Sequence, residues 1–308
     1  MILTNAHTHL ELTHLKRLCP KTPVDFVPWL RRLIWELRQR PEPLIQASIE
    51  EGLALLKAAG VAQVGDISAT GQSVIPLLQS GLHGVVFLEV VGLNPQVALE
   101  RLENAKQIIQ KTKDHPDYGP MQVGLSLHAP YSCHPQLLRQ GAMWCRKENI
   151  PLCIHAAESP AETFFLQKGE IPSTSWLTRR LAALLGFNNF QAPKMRPIPY
   201  LTSLGVLEAR PLLVHTVQVT DEDIKLIADT GCSVVHCPRS NHLLSCGRMP
   251  LEKFLSAGIP VYLGSDSLAS SPSLDICEEA VFAHQLHKDK VTSEPIDTLM
   301  HTPFPFTP

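Results

Sequence analysis

An alternation of short apolar runs with helical patterns predicts that this 308-residue chain folds as an α/β protein, a (β/α)8 TIM barrel. Eight strand candidates match the strand number of such a barrel, and a hydrophobic fraction of 44% allows a substantial core. A doubly wound parallel sheet is the competing architecture. It would need a Gly-rich phosphate-binding turn after an early strand, and the sequence has none there.

Each strand candidate is a short apolar run, and the helical patterns between them indicate crossovers between parallel strands. The predicted strands cover residues 2–6, 61–67, 84–91, 122–128, 151–155, 211–215, 232–236 and 259–265. The predicted helices cover residues 24–39, 43–59, 71–80, 95–113, 134–148, 220–229 and 273–287. The ends of the helix at 220–229 are the best defined, because Thr220 can cap its start and Gly231 can end it.

Two segments, residues 10–42 and 159–210, are longer than ordinary connections between strand and helix. At the C-terminal face of a barrel, long segments of this kind form substrate walls or lids. In the first segment, Phe26, Trp29 and Trp35 are candidates for an aromatic substrate wall. Their helical spacing is also typical of core packing, so both interpretations stay open.

Composition argues against several kinds of partner. The net charge is −2 at pH 7 and no basic stripe is present, which argues against nucleic acid. No apolar run reaches membrane-spanning length and no secretory leader pattern opens the chain, so we expect no membrane association. The eight cysteines are scattered without a CxxC pair, which favours free thiols in a reducing compartment. We therefore expect a cytoplasmic protein with a small-molecule ligand.

His7 and His9 follow the first predicted strand. Side chains at positions i and i+2 of a strand point to the same face, so the two imidazoles can lie side by side and hold one metal ion. A pair of surface histidines near a chain terminus would give the same pattern. The other strand ends must therefore decide between the two interpretations.

Four more strands end in side chains that bind metals or transfer protons. His155 follows the fifth strand with Glu158 three residues later, and His215, His236 and Asp266 end the sixth, seventh and eighth strands. A single strand-end histidine is more often a hydrogen-bonded structural residue than a ligand. The joint pattern is harder to dismiss, because the C-terminal strand ends of a barrel converge on one site.

This pattern resembles the amidohydrolase superfamily of metal-dependent barrel hydrolases, and the resemblance covers nearly all of residues 1–290. It implies that Glu158 is a general acid and base and that His215 contacts the hydrolytic water. It also implies four metal ligands: His7, His9, His155 and Asp266.

The implied ligand set of three imidazoles and one carboxylate suits Zn²⁺, with Fe²⁺ also possible. Binuclear members of the superfamily use a bridging carboxylated lysine or a glutamate on the third or fourth strand. The fourth strand here has no lysine, and we interpret Glu89 on the third strand as a substrate-side or structural residue, so we expect one divalent ion. In the implied reaction a metal-activated hydroxide attacks a ring carbon and ammonia leaves. Glu158 moves protons in this scheme, and Asp266 accepts one from the water.

Two sequence segments, residues 127–133 and 236–241, resemble segments of adenosine-type deaminases and chlorohydrolases. They imply deamination of an adenosine-like or related heteroaromatic amine. The substrate-side candidates are His128, Glu89, His236 and Asn241. A packing role is equally open for His236 and Asn241. Two other functions stay open: a chlorohydrolase or other hydrolase of a similar ring, and a truncated, catalytically silent metal-binding barrel.

Most members of that superfamily add a small β-sandwich, built from segments before the first and after the last barrel strand. Only 42 residues (308 − 266) follow Asp266, so we expect this sandwich to be largely absent. The predicted organisation is a hydrolase barrel over residues 1–290 and an irregular tail over residues 291–308, frayed from His301 onwards. An apolar face left without the sandwich would favour a homo-oligomer.

Overall fold

The computed structural model of the protein describes residues 2–39, 41–171, 178, 180, 183–184, 187 and 190–306. Within them, eight parallel strands form one sheet in sequence order. The first strand returns to the last through a parallel bridge between Thr8 and Asp266, and the Asp266 amide donates to the His7 carbonyl at 2.9 Å. The sheet is thus a nearly closed barrel, which confirms the predicted (β/α)8 fold.

Every predicted strand overlaps an observed one. The strands are β1 Leu3–Thr8, β2 Val61–Ser68, β3 His83–Val90, β4 Met121–Leu127, β5 Leu152–Ala156, β6 Leu212–His215, β7 Ser233–His236 and β8 Val261–Leu263. Their burial explains their sequence, because a parallel barrel strand is covered on both faces and so reads as a continuous apolar run.

Helices occupy the connections between the strands and follow the last strand. They are α1 Phe26–Leu37, α2 Glu42–Ala58, α3 Val74–Leu78, α4 Pro95–Thr112, α5 Pro135–Glu148, α6 Pro160–Lys168, α7 Pro197–Ser203, α8 Asp221–Thr230, α9 Pro238–Leu243, α10 Leu251–Ser256, α11 Ile276–His287 and α12 Ser293–Leu299. A 3-10 helix over Leu10–Leu18 precedes them. None of the helices in the described part of the chain is both long and apolar enough to span a lipid bilayer.

Helix α8 has the ends that the sequence predicts. The Thr220 hydroxyl accepts from the Asp223 amide, and the Asp223 carboxylate accepts from the Thr220 amide, which completes a capping box. Gly231 ends the helix with a φ of 70°, a left-handed conformation that glycine adopts without steric cost.

The two long segments contain helices. Residues 10–42 include α1, which confirms the helix predicted over 24–39, and the 3-10 helix, which was not predicted. Residues 159–210 include α6 and α7, which were not predicted either. Part of the second segment, residues 172–177 among them, lies outside the described residues.

The chain's last described residues are more ordered than predicted. Residues 293–299 form α12, and Phe304 is buried among Phe87 and Tyr262 at the base of the barrel interior. The Phe304 amide donates to Gln63 Oε1 at 2.8 Å. The expectation of an irregular tail is therefore wrong for residues 293–299, which are helical. Residues 300–306 contain neither helix nor strand, as predicted, but they are not frayed, because an aromatic side chain fills space inside the barrel there. Residues 307–308 lie outside the described residues.

Candidate metal centre and active site

His7 and His9 lie at the C-terminal end of β1 with their Nε2 atoms 3.1 Å apart. His7 is buried, and His9 is partly exposed. Two neighbouring imidazole nitrogens at this distance can bind one ion together. The structure therefore places the first half of the predicted ligand set as the strand pattern requires.

Asp66, at the C-terminal end of β2, holds this segment in place, and the sequence analysis did not identify it. Its Oδ1 accepts from the Thr8 hydroxyl at 3.0 Å and from the Leu10 amide at 2.8 Å, and its Oδ2 accepts from the Ser73 hydroxyl at 2.7 Å. Burial raises the pKa of Asp66 to about 7. A carboxylate inside an apolar strand was the sequence signal that could have revealed it.

His155, near the end of β5, completes a cluster of three imidazoles. Its Nε2 lies 3.4 Å from His7 Nε2, and its Nδ1 lies 2.9 Å from the His128 carbonyl oxygen. Since that carbonyl can only accept, Nδ1 carries the proton and Nε2 keeps its lone pair for a ligand. Ligand atoms of His7, His9 and His155 all lie within 4.8 Å of one another.

Asp266 adds a carboxylate to this cluster. Its Oδ1 lies 3.5 Å from Nε2 of both His7 and His9. Its Oδ2 accepts from the hydroxyls of Ser240 at 2.7 Å and Ser270 at 2.8 Å. The two serines therefore orient the carboxylate so that Oδ1 faces the imidazoles.

A glycine allows β8 to approach β1 closely enough for this arrangement. A Cβ placed on Gly264 would lie 2.7 Å from the His7 Cβ and 2.7 Å from Val235 Cγ1. Atoms of this kind cannot approach so closely, so only glycine fits here without displacing His7 or Val235.

The protonation states fit a divalent cation. Burial, reinforced by His7, lowers the pKa of His9 to about 3, and the same two causes hold the pKa of His155 well below its usual value. Burial opposes ionisation of Asp266, but the hydrogen bond from His7 and the neighbouring imidazoles hold its pKa well below the usual range. Neutral imidazoles and an ionised carboxylate are the forms that bind metal.

Glu158 and His215 lie beside the cluster, with Glu158 Oε1 3.5 Å from His215 Nε2. Burial first, and then the charges of Asp266 and Glu162, raise the pKa of Glu158 well above its usual value. Burial lowers the pKa of His215 to about 3. At neutral pH His215 is therefore a neutral imidazole, and the raised pKa of Glu158 favours its protonated form.

Glu162, in the first turn of α6, positions Glu158 and was also missed from the sequence. One of its carboxylate oxygens accepts from the Ala157 amide at 3.1 Å, and the other accepts from the Glu158 amide at 2.7 Å. Ala157 has a φ of 53°, a left-handed conformation that costs energy for alanine. The buried Glu162 carboxylate fixes this strained turn from which Glu158 projects.

A cavity of about 510 Å³ opens next to the imidazoles. Glu89 and His128 line it, and with His155 they present ligand atoms within 4.8 Å of one another. These two predicted substrate-side residues thus lie where a ligand in the cavity would contact them. The rest of the wall is largely apolar and includes Leu30, Leu33, Ile34, Leu37, Ile67, Val91, Leu93 and Val97, with Arg101 as a charged member.

The aromatic residues of α1 contribute little to this cavity. Leu30, Leu33, Ile34 and Leu37 line it, whereas Trp35 is 59% exposed. Trp29 packs beside a small apolar cluster and donates its indole N–H to the Ala269 carbonyl at 3.1 Å. The structure therefore assigns the wall of the cavity to the aliphatic face of α1.

The two other substrate-side candidates lie behind the site. His236 is fully buried, and its Nε2 lies 3.0 Å from Nε2 of His287 on α11. Asn241 is also fully buried, and its Nδ2 lies 3.0 Å from His215 Nδ1. These contacts favour the packing role that the sequence left open for both residues. His236 packs the barrel against α11, and Asn241 supports His215.

A nearly closed (β/α)8 barrel that joins a histidine cluster, an aspartate and a buried glutamate at the C-terminal ends of its strands has the features of a metal-dependent barrel hydrolase. Residues 3–299 match the model of the amidohydrolase family. The chain belongs to this family.

Curated relatives are named as deaminases. The chain is 35% identical over 291 residues to the aminodeoxyfutalosine deaminase of Deinococcus radiodurans, a match that covers 92% of this chain and 67% of that protein. It is 27% identical over 288 residues to the 5-methylthioadenosine/S-adenosylhomocysteine deaminase of Carboxydothermus hydrogenoformans, covering 93% and 60%. The chain thus spans about two thirds of its relatives' length.

Solved structures of deaminases have a similar fold. The aminofutalosine deaminase of Helicobacter pylori, solved in complex with methylthio-coformycin, superposes with a TM-score of 0.81 at 25% identity and covers 96% of this chain and 70% of that one. A guanine deaminase from C. acetobutylicum, at 20% identity and a TM-score of 0.77, shares the fold.

Proposed function

We propose that the chain is a metal-dependent aminohydrolase that deaminates an adenosine-like or related heteroaromatic amine and releases ammonia. The observation that carries this proposal is the convergence of a three-imidazole and one-carboxylate cluster with the carboxyl group of Glu158 and the imidazole of His215. The deaminase names of its relatives support the same reaction.

The residues that would hold the ion are His7, His9, His155 and Asp266. This donor set suits one Zn²⁺, with Fe²⁺ as the second candidate. When bound, the ion supplies Lewis acidity that makes a water molecule acidic near neutral pH. The ligand nitrogens of His9 and His155 need not lose protons first, because burial keeps both imidazoles neutral.

Glu158 is the proton donor in this proposal. Its carboxyl group is buried next to the cluster, and burial raises its pKa, which favours the protonated form. It can protonate a ring nitrogen of the substrate, and the resulting carboxylate can then take the proton of the newly added hydroxyl group and pass it to the departing amine. Asp266 is proposed as the group that takes the proton from the attacking water.

Glu89 and His128 are the proposed substrate contacts. Both line the cavity beside the imidazoles, and the His128 Nδ1 lies 2.5 Å from the Ser132 hydroxyl, which fixes the ring. A carboxylate and an imidazole offer an acceptor and a donor for hydroxyl groups or ring nitrogens, as an adenosine-like ligand would need.

Metal content measured together with ammonia release tests this proposal. The panel is adenosine, methylthioadenosine, S-adenosylhomocysteine, aminodeoxyfutalosine, guanine and cytosine. We expect one equivalent of metal and turnover on at least one adenosine-like amine. Halide release from chlorotriazines without ammonia release would favour a chlorohydrolase, and bound metal without any turnover would favour a silent barrel.

Two further properties belong to this proposal. All eight cysteines are free thiols, which supports a reducing compartment such as the cytoplasm. We also propose a homo-oligomer, because exposed apolar side chains such as Trp35 and Met143 are available for self-association. Light scattering on the purified protein distinguishes a monomer from an oligomer.

A further inference from the structure

Helix α9 presents two polar side chains to the back of the site, and each contacts a different residue of the site. The Ser240 hydroxyl donates to Asp266 Oδ2 at 2.7 Å, and the Asn241 amide nitrogen lies 3.0 Å from His215 Nδ1. Both Ser240 and Asn241 are fully buried. One short helix therefore supports a carboxylate and an imidazole that belong to different strands.

Arg239 holds this helix against α11. Its Nε donates to Glu279 Oε1 at 2.6 Å and its backbone amide donates to Glu279 Oε2 at 3.2 Å, while its Nη1 donates to Glu278 Oε2 at 2.6 Å. Glu279 is fully buried and Arg239 is 7% exposed. Charge-assisted bonds of this kind fix geometry well, so Asn241 meets His215 in one orientation.

The Asn241 amide faces His215 with its nitrogen atom, which lies 3.0 Å from His215 Nδ1. Its Oδ1 has no hydrogen-bond donor among the described residues. An amide N–H group can only donate a hydrogen bond. Nδ2 therefore donates, and His215 Nδ1 accepts.

We propose that Asn241 is a positioning residue that fixes His215 as the tautomer with its proton on Nε2, so that His215 acts as a hydrogen-bond donor and not as a base. The expected effect of Asn241 on kcat rests on the proposed deaminase reaction, whereas the tautomer of His215 does not depend on it. A neutral imidazole carries one proton on its two ring nitrogens. When Nδ1 accepts a hydrogen bond, that proton must lie on Nε2.

The consequence is a division of labour between the two buried groups. His215 Nε2 lies 3.5 Å from Glu158 Oε1, so its N–H group is on the same side as Glu158. From there it can donate a hydrogen bond to the oxygen that adds to the substrate. Proton transfer is then left to Glu158 and Asp266. Loss of a single such donor typically lowers kcat by about 10²–10³.

The tautomer can be read directly by NMR. A two-bond ¹H–¹⁵N spectrum of zinc-loaded protein labelled with ¹⁵N-histidine distinguishes protonated from unprotonated ring nitrogens, and His215→Gln assigns the signal. We expect the wild-type His215 to carry its proton on Nε2. A proton on Nδ1 would overturn the proposal, whatever the enzyme's activity.

Asn241→Asp tests the kinetic role, because a carboxylate can only accept and would draw the proton to Nδ1. We expect kcat to fall by about 10²–10³ with KM changed by less than about threefold and zinc content unchanged. Asn104→Asp, the same change at an exposed position on α4, is the control and should alter neither the spectrum nor kcat. Full activity with an unchanged spectrum in Asn241→Asp would refute the role of Asn241.

The two proposals fail in different ways. If no amine in the panel is turned over while His215 still carries its proton on Nε2, the deaminase function is wrong and the positioning role stands. If ammonia is released but the wild-type proton lies on Nδ1, the function stands and the positioning role is wrong.

Discussion

Gly264→Ala should loosen the metal site more than it destabilises the fold. The new Cβ would lie 2.7 Å from the His7 Cβ, whereas ordinary contacts begin at 3.4 Å, so the two atoms must separate by 0.7 Å (3.4 − 2.7). Val235 Cγ1 lies at the same distance on the other side, so the new Cβ cannot move away from His7. The displacement therefore falls on His7, and metal sites tolerate errors of only about 0.2 Å in ligand distance.

The expected result is zinc affinity lowered by about 10–100-fold, the range seen when support of a metal ligand is lost. Overpacking should also lower the free energy of unfolding by about 1–3 kcal/mol. Competition with a zinc chelator measures the affinity, and denaturant unfolding of the metal-free protein measures the stability.

Gly124→Ala is the matched control. Its Cβ would lie 2.6 Å from the Pro151 carbonyl oxygen and 2.9 Å from Phe87, a clash of similar severity inside β4 that touches no proposed metal ligand. It should lower stability and leave zinc affinity unchanged. Unchanged affinity in Gly264→Ala, or equal loss in both variants, would refute the reasoning.

Three further outcomes follow from the site. Glu158→Gln should keep one equivalent of metal and lose at least about 10²-fold in kcat, since general acid–base catalysis contributes this much; full activity would remove Glu158 from proton transfer. Ser270→Ala should weaken zinc binding by about tenfold or more by releasing Asp266 Oδ2, as chelator competition would show. Because burial raises the folded-state pKa of Asp66 to about 7, above the usual 3.8, its folded state binds the proton more tightly. Its contribution to stability is therefore full below about pH 4 and is lost as the pH rises to about 7. Asp66→Asn should make the stability of the metal-free protein less dependent on pH between 4 and 8, measured by urea unfolding; an unchanged pH profile would contradict the raised pKa.

The barrel and the main members of the site were predictable because both depend on local patterns. Apolar runs that end in histidine indicate strands whose C-terminal ends carry chemistry, and a parallel barrel brings those ends together. His7, His155 and Asp266 are far apart in sequence, yet the fold alone places them within a few ångströms of one another.

The supporting residues were not predictable in the same way. Asp66, Glu162 and Ser240 act through hydrogen bonds to partners fixed by loop geometry, and spacing along the chain does not encode that geometry. The same reason explains why the sequence left Asn241 open between substrate contact and packing. The turn into α9 directs its side chain behind His215.

The seam between β1 and β8 gives the site a particular place in the chain's biosynthesis. Asn5 and Ser265 bond to each other across it, and His7 meets Asp266 there. A ribosome must therefore synthesise nearly the whole barrel before the proposed ligand set is complete. If these residues bind the ion as proposed, a nascent chain paused before β8 would bind it weakly.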